Sequence, residues 1–309
     1  MKGLELCDAY FQAYGLPMIE NGFGELKGRI AAGLVGQGSD CFGFDDEISR
    51  DHDWGPGFCL WLDKSDYAAA GDRLRAAYEA LPRRFREYTR IKSDWGSNRV
   101  GVMKINEFYE TYIGRANAPE DPLTWLRIPE ENLAACTNGR VFIDAYGQFS
   151  SIRKALLDYY PEDVRRKRIA GRLMSAAQSG QYNFARCVRR NTAFASRYAL
   201  IHFCDDIIRL AFLLNRRYCP FYKWRQSAVR SLPRLGASTS ESIQQLLRDM
   251  DTHQMESRIE QICSRFVSEL RRQGLSDGTS GFLLDHGPIV QARILDERLR
   301  QLPVWYAGA

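Results

Sequence analysis

The sequence predicts an α+β protein in two parts, a mixed β-sheet with flanking helices over residues 1–148 and an all-α helical bundle over residues 149–309. In the first part, short apolar runs alternate with helical patterns and glycine-rich loops. After about residue 150, long segments with apolar residues at helical spacing dominate. The charge divides at the same place, with a net −6 over residues 1–150 and +11 over residues 151–309. This division indicates two domains and suits a metal site facing a polyanion site.

The composition is that of an ordinary globular protein. The 309 residues are 45% hydrophobic and 26% charged, which excludes collagen-like, coiled-coil and disordered classes. No apolar run approaches the ~18 residues of a membrane helix, and the first residues lack the pattern of a signal peptide. The eight cysteines are scattered without a Cys-x-x-Cys pair. We therefore expect a cytoplasmic protein with reduced, mostly buried thiols and no membrane partner.

The first part contains patterns for three strands. They are residues 58–62, 100–105 and 140–144, of which the first is a continuous apolar run and the second alternates. Helices are predicted over residues 4–14, 24–32, 64–81, 106–113 and 129–136. Residues 33–57 are rich in glycine and aspartate and are predicted to be loop.

The second part is predicted to be helical throughout. Its segments are 149–159, 161–179, 182–217, 221–231, 239–272 and 288–301, and Gly or Pro separates most of them. Helices that are amphipathic over this length bury their apolar faces against one another.

The residues that carry chemistry lie within 36–56, where six of 21 side chains are acidic. Asp51 and Asp53 are two residues apart, so on an extended segment their carboxylates share one face and can hold one or two divalent cations. Hard oxygen ligands of this kind suit Mg²⁺. Upstream, Gly38-Ser39 forms a turn whose backbone N–H groups can bind a phosphate.

Together these parts predict a site for phosphoryl or nucleotidyl transfer, in which two metal ions stabilise the attacking and leaving oxygens. A third carboxylate on a neighbouring strand would complete the metal site. Asp144, at the end of the 140–144 strand, is the first candidate, and Glu107 is the alternative.

Gly38-Ser39 followed by Ser49-x-Asp51-x-Asp53 resembles the Gly-Ser…Asp-x-Asp signature of the polymerase-β-like nucleotidyltransferase superfamily. The chain looks most similar to an uncharacterised bacterial branch known only as a domain of unknown function. That branch is similar in layout to aminoglycoside and lincosamide nucleotidyltransferases, with a catalytic domain before a helical bundle. Further similar pieces are Gly139–Asp144, Tyr159–Asp163, Gln181–Asn183 and Asn215–Trp224, so the resemblance covers residues 20–235. The 11-residue spacer 40–50 departs from the simplest pattern, as does the Trp-Gly-Pro that follows Asp53.

The resemblance implies a Mg²⁺-bound nucleoside triphosphate whose NMP unit passes to a small-molecule or protein acceptor. Gly38 and Ser39 would touch the triphosphate, and Asp51 and Asp53 would bind metal. The third carboxylate would bind metal or act as a general base. The resemblance also leaves a homodimer open, because related drug-modifying enzymes share sites across a dimer.

Other residues allow two interpretations. Asp45, Asp46 and Glu47 form either a solvated acidic turn or a structural brace, and we favour these structural roles over metal binding. Lys223, beside Trp224, is either part of a cationic lip that binds nucleotide or a surface residue next to a core tryptophan.

Three hypotheses follow. The leading one is a nucleotidyltransferase, and the second is a regulatory module that binds nucleotide without turnover. The third is an RNA-directed nucleotidyltransferase or ribonuclease, because the second half is basic and Arg197–His202 resembles an Arg-x4-His ribonuclease pattern. A nucleic-acid partner is not expected, since neither a stacking platform nor a basic tail is visible in the sequence.

Overall fold

The computed structural model describes residues 1–50, 53–90, 99–249 and 251–309, which form two compact units. The first unit comprises Met1–Ala118 and Asn132–Asp158, and the second comprises Pro119–Glu131 and Tyr159–Ala309. Thus residues 149–158 belong to the first unit, whereas the sequence analysis assigned them to the bundle. A short segment before residue 132 belongs to the second unit.

The first unit contains a four-stranded mixed sheet. Its strands, numbered along the chain, are β1 (Ala31–Leu34), β2 (Cys59–Leu62), β5 (Gly101–Lys104) and β6 (Arg140–Ile143). They lie side by side in the order β5-β2-β1-β6. β1 is antiparallel to both β2 and β6, while β2 is parallel to β5. Two short strands, β3 (Arg84–Phe85) and β4 (Tyr88–Thr89), form a separate hairpin. The predicted strands at 58–62, 100–105 and 140–144 are confirmed.

Helices flank this sheet. They are α1 (Gly3–Tyr10), α2 (Leu16–Gly22), α3 (Ser39–Phe42), α4 (Lys64–Glu79), α5 (Ile105–Ile113) and α8 (Gln148–Leu157). α7 (Glu130–Thr137) spans the point at which the chain passes from the second unit to the first. The predicted fold class, a mixed sheet with flanking helices followed by a helical region, is confirmed.

The core of the first unit is built on β2, whose residues are buried on both faces. On one face, Phe58, Leu60 and Leu62 pack with the apolar side chains of α1 and α4. On the other face, the Trp61 ring stacks on Phe149, with the centroids 4.0 Å apart. A strand covered on both faces explains the continuous apolar run from which it was predicted.

The predicted helix over residues 24–32 is wrong. The chain makes a short 3-10 turn at Gly24–Leu26, and residues 31–34 form the central strand β1. Gly28 takes a left-handed conformation (φ +81°) that interrupts any helix here. Ala31 to Leu34 are buried and pair with strands on both sides, so tertiary pairing decides the conformation.

The second unit is helical. Its helices are α6 (Pro122–Arg127), α9 (Glu162–Ala176), α10 (Ala185–Arg189), α11 (Ala193–Leu214), α12 (Tyr222–Val229), α13 (Gly236–Arg248), α14 (Thr252–Arg272), α15 (Leu283–Ala292) and α16 (Glu297–Gln301). A π-helical segment, Ala177–Phe184, joins α9 to α10. Among the described residues, no helix has both the length and the apolar character needed to cross a membrane.

Three of the predicted long helices are each broken into two. The 182–217 segment breaks between α10 and α11, where Asn191 adopts a left-handed conformation (φ +55°). The 239–272 segment breaks before Asp251, whose side chain caps α14 by accepting from the His253 and Gln254 amides. The 288–301 segment contains the end of α15 and the whole of α16. Periodicity continues across each break, so it did not reveal the turns.

Candidate functional site

The turn Gly36–Ser39 lies at the edge of the sheet that is formed by strand ends, where β1 ends and β2, β5 and β6 begin. The register pairs Gly33 of β1 with Cys59 of β2, and Cys59 in turn with Gly101 of β5. On the other side, Leu34 pairs with Arg140, the first residue of β6. Residues just before β2 and β5 are therefore carried to the same edge as this turn.

Two glycines give the turn a backbone conformation that other residues rarely adopt. Gly36 has φ +125°, and Gly38 has φ +126° with ψ +146°. These values fall in a region that is essentially restricted to glycine. A Cβ atom at Gly38 would also overlap the guanidinium of Arg99. Gly38 is thus required both for its backbone conformation and for the close approach of Arg99.

The turn is held from two directions. The Gly36 amide donates to Asn138 Oδ1 (2.9 Å), and Asn138 Nδ2 donates back to the Gly36 carbonyl (2.7 Å). The Gln37 amide donates to the hydroxyl of Tyr112 on α5 (3.2 Å). Both contacts use backbone groups, so they fix the path of the turn whatever the side chains at 36 and 37.

Three consecutive N–H groups remain available after the clamp. In the part of the chain that the structure describes, the amides of Gly38, Ser39 and Asp40 donate to no protein acceptor. Adjacent N–H groups of this kind form an anion-binding concavity. The prediction that Gly38 and Ser39 present amides for a phosphate is compatible with this geometry.

Arg99 joins this turn to the segment that carries Asp53. Its Nε donates to the Gln37 carbonyl (2.6 Å), and another of its nitrogens donates to the backbone carbonyl of Asp53. Its guanidinium also forms an ion pair with the buried carboxylate of Asp40, at the start of α3. The predicted phosphate turn and the second residue of the Asp-x-Asp pair therefore lie on either side of one arginine.

Arg99 stays charged although it is largely buried. Burial lowers the pKa of the guanidinium, but the Asp40 carboxylate, with smaller contributions from Cys41 and Cys7, brings the pKa above its usual value. A charged ion pair of Arg99 and Asp40 thus lies beside the turn.

Asp53 sits in a left-handed conformation (φ +50°) and is partly buried. A non-glycine residue with this backbone is uncommon and is most tolerated by Asp and Asn. Asp51 and His52 lie outside the described residues, so the spacing of the two carboxylates stays a prediction.

The extra acids of the spacer have structural partners. Asp45 is buried, and its carboxylate accepts from the Gly3 amide (2.7 Å) and from Trp54 Nε1 (3.2 Å). Asp46 is exposed and accepts from the Ser49 amide and hydroxyl, bonds that lower the pKa of its carboxyl. Of the two structural roles considered for these acids, Asp45 therefore has that of the brace, and Asp46 belongs to a solvated turn.

The structure does not bring Asp144 to this edge. β6 runs antiparallel to β1, so its end lies beside the start of β1, at the edge opposite the Gly36–Ser39 turn. The Asp144 carboxylate accepts from the Gly147 amide (3.0 Å) and the Ser150 amide (2.7 Å), where it caps the start of α8. These contacts give Asp144 a structural role.

Glu107 lies in the first turn of α5, beyond the end of β5. Its carboxylate pairs with Lys104 Nζ at 2.6 Å. It lines the same groove as Arg99, a half-open cavity of about 450 Å³ along the edge strand β5. Other lining residues are Val35, Tyr67, Arg75, Val100, Val102, Met103, Phe108, Thr111 and Tyr112. The groove thus extends from the turn to Glu107.

Lys223 belongs to the second unit, on α12. Its Nζ lies 5.2 Å from the centroid of the Trp224 ring, in a cation–π contact within its own helix. The side chain is exposed.

Buried thiols lie beneath the candidate site. Cys7 donates its S–H to the Gly55 carbonyl (3.3 Å), and Cys59 donates to the Arg99 carbonyl (3.3 Å). Burial raises the pKa of both thiols to about 12, so they are neutral hydrogen-bond donors at pH 7. The prediction of mostly buried cysteines is confirmed, since all but Cys187 are buried.

A metal ion bound by the protein alone would need several ligating side chains close together. Over residues 1–50, 53–90, 99–249 and 251–309, no three His, Cys, Asp or Glu side chains group closely enough to hold a metal ion. Asp51, the first predicted ligand, is outside these ranges.

Sequence reasoning missed Arg99, Asn138 and Tyr112. Each lies far along the chain from the turn, and each reaches it only because the sheet and α5 are assembled. One available signal was that Arg99 directly precedes a predicted strand, because the starts of neighbouring parallel strands meet at one edge.

Comparison with known proteins gives a partial match. Residues 125–225 match the family described as Domain of unknown function (DUF4037). This stretch lies within the 20–235 range of the resemblance drawn from the sequence. It contains the similar pieces Gly139–Asp144, Tyr159–Asp163, Gln181–Asn183 and Asn215–Trp224. Similarity to a family of unknown function is therefore confirmed over this part of the chain.

No curated protein matches the chain. Among solved structures, a nucleotidyltransferase-like protein from Exiguobacterium sibiricum is similar at 13% identity with a TM-score of 0.35. The match covers 84% of this chain and 75% of that protein's chain. At these values it assigns no residue a role, so any functional assignment depends on the chain's own geometry.

Proposed function

We propose that this protein is a Mg²⁺-dependent nucleotidyltransferase that transfers an NMP group from a nucleoside triphosphate to a small-molecule or protein acceptor. One observation carries the proposal. Arg99 connects the glycine turn at 36–39 with Asp53, so the two halves of the predicted Gly-Ser…Asp-x-Asp signature meet at one edge of the sheet.

In this proposal the turn binds the triphosphate. The amides of Gly38, Ser39 and Asp40 have no protein acceptor among the described residues, so they would donate to the phosphate oxygens. Arg99 is paired with Asp40 and donates to the Gln37 and Asp53 carbonyls, so in this proposal it positions the turn and the Asp53 segment. The clamp by Asn138 holds the amides in place before the nucleotide arrives, which lowers the entropic cost of binding.

Asp53 and Asp51 would hold the metal. Their carboxylate oxygens are the donors that Mg²⁺ prefers, and Asp53 lies next to the turn. Mg²⁺, when bound, supplies positive charge that stabilises the phosphate oxygens during an in-line displacement. Asp144 is left out of the ligand set because it caps α8 at the opposite edge.

The groove along β5 is the natural place for the nucleoside. It begins at Arg99 and Tyr112, which touch the turn, and it continues over the apolar side chains of Val100 and Met103. Apolar and aromatic walls with a few polar groups are typical of sites that bind a planar base.

The proposal is tested by following label from an α-³²P-labelled triphosphate, together with pyrophosphate release, in the presence of a panel of hydroxyl-bearing acceptors. We expect Mg²⁺-dependent transfer in the wild type. Asp53→Asn should lose at least about 100-fold in rate, because the metal loses a charged ligand.

Asp46→Asn is the matched control, since it removes a nearby exposed carboxylate that accepts from the Ser49 amide and hydroxyl and is not a proposed metal ligand. Its rate should stay within about twofold of the wild type. Full activity in folded Asp53→Asn would refute the proposal. Saturable nucleotide binding without transfer to any acceptor would favour the regulatory module instead.

A further inference from the structure

A row of exposed rings follows one face of α11 in the second unit. Phe194 is 83% exposed, and Tyr198, four residues later, is 62% exposed. Their rings are nearly parallel, with centroids 6.1 Å apart, and the His202 ring continues the row 5.8 Å beyond Tyr198. Ile201, 55% exposed, borders the row. Large rings rarely remain exposed in such a line unless they bind something.

The end of the row is held in place by buried charges. His202 Nδ1 lies 3.2 Å from the carboxylate of Asp206, which is almost completely buried. Arg172 binds the other oxygen of the same carboxylate at 3.0 Å. This chain of contacts fixes the orientation of the His202 imidazole, so this end of the row is preorganised.

Four arginines without carboxylate partners among the described residues lie on the same stretch of chain as the rings, in α10, at its C-terminal end and in α11. Residues 164–204 contain no Asp or Glu at all. Arg186, Arg189, Arg190 and Arg197 are exposed, and in the described parts of the chain none of them pairs with a carboxylate. Arg186 instead lies over the ring of Tyr182, 4.7 Å from its centroid. The surface thus combines exposed rings with unneutralised positive charge.

We propose that this face of α10 and α11 binds single-stranded nucleic acid. The bases would stack on Tyr198 and Phe194, and the arginines would bind the phosphates. Aromatic side chains beside arginines are the combination that binds unpaired bases without requiring a particular sequence. The inference is independent of the proposed nucleotidyltransfer, because it uses only residues of the second unit. The sequence alone shows neither a stacking platform nor a basic tail, whereas the folded α11 aligns rings that can serve as such a platform.

Charge complementarity and ring faces together select this ligand. An acidic peptide would satisfy the arginines but would leave Phe194 and Tyr198 exposed. A second copy of the chain would bring the same four arginines close to one another, which is unfavourable. A polyanion with flat bases satisfies both features.

The test uses fluorescence anisotropy of the full chain with labelled single strands of RNA and of DNA, each of about 15 nucleotides. We expect binding that weakens steeply between about 50 and 200 mM salt. Tyr198→Ala should weaken binding by about 5- to 100-fold, while Tyr198→Phe, which keeps the ring, should bind like the wild type. The double variant Arg189→Gln/Arg190→Gln should reduce the slope of log affinity against log salt by about 1.4.

Controls come from the same chain. Tyr146→Ala removes a ring of similar exposure (64%) from the first unit, and Arg230→Gln removes an exposed arginine from α12's end. Both should bind like the wild type. The proposal is overturned by absence of binding at low salt, by equal losses in the control variants, or by duplexes binding as tightly as single strands. Equally tight binding to anionic vesicles, or a dimer that Tyr198→Ala dissociates, would also overturn it in favour of a membrane or a second copy.

Discussion

Single residues decide whether the turn at 36–39 can form. Gly38 combines a backbone conformation that disfavours side chains with direct contact to Arg99, and among the described residues the amides of Gly38, Ser39 and Asp40 have no acceptor. A substitution here should therefore affect both the stability of the fold and the binding of phosphate.

Gly38→Ala is expected to destabilise the protein by about 1–3 kcal/mol, because alanine at φ +126° is strained and its Cβ displaces Arg99. Nucleotide affinity should fall as well. Gly43→Ala is the matched control, since Gly43 also has a positive φ (+73°) but no atom lies within 4 Å of the added Cβ. It should cost about 1 kcal/mol and leave affinity unchanged. Chemical denaturation measures the loss of stability in each variant, and equal losses in the two variants would contradict this account.

At the residue scale, the sequence offered candidates for the chemistry but gave no indication of the residues that position the turn. Gly38, Ser39 and Asp53 belong to one continuous segment, so spacing alone could identify them. Arg99 and Asn138 contact the turn across 62 and 102 residues of chain, respectively. Asp144 fits the pattern of a strand-end ligand, but only the antiparallel pairing of β6 reveals that it lies at the other edge.

At the scale of elements, α9 contains four consecutive basic residues that are directed inward. Arg165, Lys167 and Arg168 are buried, and Arg166 is partly buried. Lys167 Nζ donates to Gln291 Oε1 (2.6 Å) and to the Pro303 carbonyl (2.7 Å). Arg168 donates to the carbonyls of Trp125, Leu126, Ile128 and Ala309. These side chains attach neighbouring segments of the second unit to α9.

Lys167 should make stability depend on pH. Burial lowers the pKa of its ammonium from 10.5 to about 8 in the folded state, so the folded protein releases this proton first. The contribution of Lys167 to the free energy of unfolding should rise between pH 8 and 10.5, by about 3 kcal/mol at most. The free energy of unfolding of the wild type, minus that of Lys167→Met, should therefore increase over the same pH range. Urea unfolding at several pH values measures it, and a constant difference would exclude the effect.

Elements with a clear period were predicted well, and those decided by tertiary contacts were not. The buried run at 58–62 could only be a short element, because Pro and Gly bound it on one side. Residues 24–32 matched a helical pattern, yet pairing with two strands makes their end β1. The breaks after α10 and α13 depend on single residues, Asn191 and Asp251, whose local preferences are weak signals within a long periodic segment.

At the scale of the whole molecule, the uneven charge has a structural explanation. Part of the positive charge of the second half is used internally, by the basic residues of α9 and by Arg172 and Arg209, which pair with buried carboxylates. The exposed arginines of α10 and α11 are part of the charge that remains, and the proposed nucleic-acid surface uses them. The acidic first half contains the turn and Asp53, for which a bound metal would offset the negative charge.

The proposed nucleotide site is tested most directly by isothermal titration of the full chain with ATP, GTP, CTP and UTP, with and without Mg²⁺, repeated on Asp53→Asn. We predict that at least one triphosphate binds in a Mg²⁺-dependent way and that Asp53→Asn weakens it by at least about tenfold. Binding that is indifferent both to Mg²⁺ and to Asp53→Asn, or no binding by any of the four, would contradict the assignment of this edge of the sheet as a nucleotide site.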